Sequence, residues 1–106
     1  MKIITKKKLR QECWNLDYEF IKWLNEHLKI YKDEASKVVD LEFKKYKYEK
    51  KNLEYSQLGI INRLIDLTEY LLMNYYNYQS MEAEAMIKAK DEMYDLLKLV
   101  HFDLWW

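Results

Sequence analysis

One glycine and no proline in 106 residues constrain this chain more than any motif in it. Hairpins, sandwiches and barrels need residues that reach positive φ or pre-set the turn, and here these are almost wholly missing. The expected fold class is therefore all-α: a single-domain antiparallel helical bundle of about four helices over 1–106. An α+β arrangement with a short β-ribbon within 38–55 is the alternative. This length suits one domain and buries roughly 65% of the surface an unfolded chain exposes. The half-hydrophobic, one-third-charged composition is that of a folded chain rather than a disordered one.

The stretch 58–78, LGIINRLIDLTEYLLMNYYNY, is the most apolar segment and the expected central helix. Ile61, Leu64, Ile65, Thr68, Leu71, Leu72 and Tyr75 recur at helical spacing, and Ile60 and Leu67 widen that face. Asn62, Asp66, Glu69, Met73 and Tyr76 form the opposite stripe. So wide an apolar face needs more than one neighbour. Ser56 is the expected N-cap, with Gly59 in the first turn, and Asn77 and Ser80 offer a C-cap and the next N-cap.

A first helix is expected over 6–31. Its polar stripe is Glu12, Asn15, Glu19, Lys22, Glu26 and Lys29, with Lys22–Glu26, Glu19–Lys22 and Glu26–Lys29 as surface ion pairs. Its apolar face is Leu9, Cys13, Leu16, Phe20, Trp23, Leu24, His27 and Tyr31, flanked by Trp14, Tyr18, Ile21 and Leu28. Trp14, Phe20 and Trp23 are expected in the core, and His27 is expected there as a hydrogen-bonded histidine. A turn follows at 31–34, with Asp33 capping the next element.

Residues 35–55 fit two patterns. Val39, Phe43, Tyr46 and Leu53 recur at helical spacing, which is the favoured reading. Val39, Leu41 and Phe43, then Tyr46 and Tyr48, alternate as strands do, with a bulge at Lys44/Lys45 and a turn at Lys50-Lys51-Asn52. The last helix is expected over 81–104, burying Met86, Ala89, Met93, Leu97, Val100 and Leu104 and exposing Glu84, Lys88, Asp91, Asp95 and Lys98.

No residue pattern names a reaction. A di-iron bundle needs Glu-x-x-His on facing helices, and His27 and His101 follow Leu24 and Lys98. Cys13 and His27 lie ~21 Å apart on one helix, too far for a nucleophile pair. One glycine cannot build a phosphate loop. The expectation is no enzyme, no metal and no cofactor. The lone cysteine, the absence of a long uncharged apolar run and an N-terminus unlike a secretory signal point to a cytoplasmic protein that does not engage a membrane. The Lys-, Asn-, Ile- and Tyr-rich usage suits a bacterium of AT-rich genome, or a host cell infected by its phage.

Surface chemistry offers three functional expectations. Exposed Tyr, Trp and Met are the residue types of binding hot spots, so Met73, Tyr75, Tyr76, Tyr78, Trp105 and Trp106 are the expected contact residues for another protein. A stoichiometric binder of this size fits an inhibitor, anti-defence or immunity role. Lysines interleaved with tyrosines suit nucleic acid instead, through Lys6, Lys7, Lys8, Arg10, Lys44, Lys45, Lys47, Lys50 and Lys51. Finally, residues 1–53 carry 14 Lys and Arg against 9 Asp and Glu, and residues 54–106 carry 4 against 9. Two copies meeting through those opposite halves would form a homo-oligomer.

Overall fold

The computed structural model describes residues 5–75 and 83–106. α1 (Lys6–Glu12) leads through a 3-10 turn into α2 (Leu16–Ala35); β1 (Lys45–Tyr48) and β2 (Leu53–Ser56) precede α3 (Gln57–Met73), and α4 (Ala83–Val100) ends in a 3-10 turn at His101–Asp103. The domain is helix-dominated as expected, and of the two readings of 35–55 it takes the ribbon.

The helix expected over 6–31 is divided and extended. Asn15 leaves helical geometry at φ −129°, ψ 59°, and α2 then runs through the expected turn at 31–34 to Ala35. Lys, Asp, Glu and Ala there are all compatible with a helix, and nothing interrupts it. Asp33 is thus inside α2, where its carbonyl accepts the Ser36 hydroxyl at 3.1 Å.

α3 begins as the sequence predicts. Ser56 Oγ accepts the Gly59 amide at 3.0 Å, an N-cap. Ile60, Ile61, Leu64 and Thr68 are fully buried because α3 lies between α2 and α4. Both neighbours run antiparallel to it. Gln57 at its start donates to the Tyr31 hydroxyl near the end of α2 and to the Asp103 carbonyl beyond α4, while the Tyr75 hydroxyl just past its end donates to Asp17 at the start of α2. Midway, the buried Asn25 amide donates to Thr68 Oγ1 at 2.9 Å and to the Ile65 carbonyl at 3.3 Å. The Thr68 hydroxyl in turn donates back to the Leu64 carbonyl. The helix expected to reach 78 ends at Met73, where the Asn74 amide bonds the Tyr70 carbonyl. The caps expected at Asn77 and Ser80, and the helix start at Met81, lie outside the described residues.

The ribbon explains itself through two tyrosines. A helix would turn Tyr46 and Tyr48 about 200° apart, whereas a strand sends both to one face. Both hydroxyls reach the C-terminal region: Tyr46 donates to Asp103 at 2.6 Å and Tyr48 to Asp95 at 2.9 Å. Across the ribbon Tyr46 faces Tyr55, Lys47 faces Glu54 and Tyr48 faces Leu53. No glycine makes the turn; Asn52 takes the left-handed conformation at φ 51°, the residue type besides glycine that does so most readily. The strand pattern at Val39–Phe43 is not used. That segment is a series of turns that seats Leu41 against Ala35 and Ile61 and passes its carbonyl to the Leu58 amide at 2.8 Å.

α4 buries Met86, Ala89, Met93 and Val100 as expected, with Leu97 and Leu104 partly buried and Leu96 fully so. Part of the charge asymmetry is met by ion pairs within the fold. Lys29 pairs with Glu69 at 2.5 Å, Lys44 with Asp103 at 2.9 Å, Lys50 with Asp95 at 3.6 Å and Lys51 with Glu92 at 2.8 Å, each joining the basic half to the acidic half.

The result is thin, with principal extents of 45 × 41 × 18 Å. Its accessible surface of 8217 Å² exceeds the about 6,400 Å² usual for a monomer of this mass. α1 contributes to the excess, for it buries none of its residues. Among the described residues no helix is long and apolar enough to cross a membrane.

Candidate protein-docking face

The structure separates the expected partner-binding residues. Met73 is 83% exposed at the end of α3. Tyr75 beside it is partly buried, stacked edge-on against Tyr18 with ring centroids 5.1 Å apart. Trp105 and Trp106 are exposed at the opposite end of the domain, where the Tyr31 hydroxyl donates to the Trp105 carbonyl at 3.0 Å and the Tyr31 and Trp106 rings are 5.5 Å apart. α3 is about 25 Å long and lies between these two sets, so they form no single patch. Tyr76 and Tyr78 lie outside the described residues.

The lysine cluster is also divided. Lys44, Lys50 and Lys51 are held by carboxylates, and Lys44 further lies over the Tyr46 ring at 5.6 Å. Lys45 and Lys47 are exposed on the outer face of β1; Lys6, Lys7, Lys8 and Arg10 are exposed on α1. The two groups sit on different elements.

What the structure does bring together is an apolar stripe on α2. Leu16, Phe20, Trp23 and Ile30 are 59%, 39%, 55% and 62% exposed, and exposed His27 completes the row. The five recur at alternating spacings of four and three residues, the period of a helix–helix seam. Trp23 and His27 stack with ring centroids 4.1 Å apart, and His27 Nδ1–H donates to the Trp23 carbonyl at 2.7 Å, which fixes both rings. The stripe is about 21 Å long. Trp106 rests against Tyr31, one residue beyond its last member.

The expected core places of Trp14, Phe20, Trp23 and His27 are therefore corrected: Trp14 and the three stripe residues face outward. α2 carries apolar side chains on two adjoining faces, and only one can meet α3. Leu24, Asn25, Leu28 and Ala35 take that place, with Ile21 beside them. The signal was in the sequence, since 16, 20, 23, 27 and 30 and 21, 24, 28 and 35 each form a helical row; choosing between them needed the position of α3.

The polar side of α2 differs from expectation as well. Lys29 is drawn to Glu69 on α3, and Glu19, Glu26 and Asp33 hold no ion pair within 4.0 Å among the described residues. These three acids recur every seven residues along the edge of the stripe away from the core.

Elsewhere an open groove of about 650 Å³ lies between α3, α4 and the ribbon turn, lined by Arg63, Asp66, Tyr70, Lys51, Lys88 and Glu92 among others. Its charges serve one another. Glu92 is buried and accepts from Arg63 Nε at 2.5 Å, from Arg63 Nη2 at 3.0 Å and from Lys51 at 2.8 Å. The Arg63 hydrogen bonds, then that from Lys51, hold the Glu92 carboxyl down to about 2 against the opposing effect of burial. On the neighbouring tyrosine, burial and then the Asp95 carboxylate push the Tyr48 hydroxyl up to about 12. These are clamps that fasten ribbon to helices. Among the described residues no group of three or more His, Cys, Asp and Glu is placed to hold a metal ion.

Comparison with protein-family models, with curated proteins and with solved structures finds no match to this chain.

Proposed function

We propose that this protein is a non-catalytic binding module that acts stoichiometrically on a larger protein, and that the outer stripe of α2 is its contact face. The supporting observation is the row Leu16, Phe20, Trp23, His27 and Ile30, apolar and aromatic yet open to solvent. Burying such side chains is favourable by about 25 cal/mol per Å², and aromatic anchors carry a large share of the energy in protein interfaces. Within this reading, the small size and the Lys-, Asn-, Ile- and Tyr-rich composition fit an inhibitor or immunity-type protein of a phage or mobile element, working in the cytoplasm.

The test is recovery of a partner from host lysate by the wild-type chain, by Phe20→Asp/Trp23→Asp and by Met73→Ala, with circular dichroism confirming each fold. The wild type and Met73→Ala should retain the partner and the double variant should lose it. Equal recovery by all three would remove the α2 stripe from the function.

A further inference from the structure

We infer that the α2 stripe takes an amphipathic helix whose apolar seam is flanked by Lys and Arg. The inference rests on the binding-module reading above and names the chemistry of its partner. Two features of α2 carry it: the spacing of the apolar row and the charges at its borders.

Leu16, Phe20, Trp23, His27 and Ile30 sit at 4-3-4-3 spacing over about four turns of α2. A second helix lying along that row meets a side chain at every step, as in helix-in-groove recognition. On the border away from the core stand Glu19, Glu26 and Asp33, none held in an ion pair within 4.0 Å among the described residues. On the other border stand Asp17, Leu24 and Tyr31. Neither bordering row contains a Lys or Arg. The nearest cations of α2, Lys22 and Lys29, lie a row further out, and Lys29 is bound to Glu69.

These borders disfavour a second copy of the same helix. Antiparallel α2 pairs would set the row of Glu19, Glu26 and Asp33 beside its own image. Parallel pairs would set it against the row of Asp17, Leu24 and Tyr31. Each arrangement places acid beside acid or beside an uncharged side chain, and like charges across a helix seam oppose association. A helix carrying Lys or Arg along the matching border gains opposite charge at three successive heptads.

The experiment uses the full chain and two fluorescein-labelled helical peptides of about four heptads, with identical Leu and Ile seams and either Lys or Glu at the flanking positions. Binding is read by anisotropy at about 50 and 200 mM salt. The Lys peptide should bind at least tenfold tighter than the Glu peptide, and more so at the lower salt. Phe20→Asp/Trp23→Asp should abolish binding of both. Glu26→Lys/Asp33→Lys should reverse the preference; both side chains are exposed, so the fold tolerates the change. Equal binding of both peptides, or no reversal, overturns the charge rule and leaves the binding-module reading standing. Failure of both peptides while the stripe variant still loses a lysate partner overturns a helical occupant alone. Sedimentation showing a wild-type dimer that Phe20→Asp/Trp23→Asp dissociates would assign the stripe to a second copy and overturn the inference.

Discussion

Glu92→Gln isolates the clamp between the ribbon and the helices. The wild-type carboxylate is buried and shared by Arg63 and Lys51, and its carboxyl is held down to about 2 from an ordinary 4.5. The unfolded chain therefore takes up this proton first as pH falls, so the stabilisation is fully present above about pH 5 and is lost as pH drops toward 2. Ionisation of a carboxyl so held contributes roughly 3 kcal/mol in full, and about 2 kcal/mol of it is gone by pH 3. Glutamine keeps the shape, accepts at only one oxygen and cannot titrate. Urea unfolding of wild type and Glu92→Gln at pH 6 and pH 3 measures the gap between them. The variant should be about 2–3 kcal/mol less stable at pH 6, and the gap should shrink by about 2 kcal/mol at pH 3. A gap of equal size at both pH values would refute the assignment of the clamp to an ionised Glu92.

Further outcomes follow from burial and backbone geometry, all readable by chemical denaturation. Trp23→Ala should cost less than about 1 kcal/mol because the side chain faces solvent, whereas Leu64→Ala in the centre of α3 should cost about 3 kcal/mol. Asn52→Gly should be within about 0.5 kcal/mol of wild type, and Asn52→Val should lose about 1–2 kcal/mol, since a β-branched residue is strained at φ 51°. Thr68→Val should cost about 1–2 kcal/mol by removing the acceptor of the buried Asn25 amide. Gly59→Ala should raise stability by a few tenths of a kcal/mol, because an added Cβ meets Ser56 and Tyr55 at no less than 3.4 Å and alanine is the better helix former.

The sequence by itself determined what depends on neighbours along the chain. Scarce glycine and proline set a helical domain, and the run from Ser56 to Leu71 set α3, its cap and its broad buried face, because capping and 3.6-residue periodicity are local properties. Four of the six buried positions of α4, Met86, Ala89, Met93 and Val100, were legible for the same reason. Other choices depended on what lay opposite. Residues 35–55 suited helix or strand until Asp95 and Asp103 stood where two tyrosines on one strand face reach them, and Asn52 supplied the turn that glycine did not. Two apolar rows on α2 competed for one neighbour, and the position of α3 decided that Leu24 and Leu28 are covered and Phe20 and Trp23 are not. Spacing along a helix says which residues share a face; only packing says which face meets water. For this protein that decision left Leu16, Phe20, Trp23, His27 and Ile30 on the outer side of α2, open to solvent.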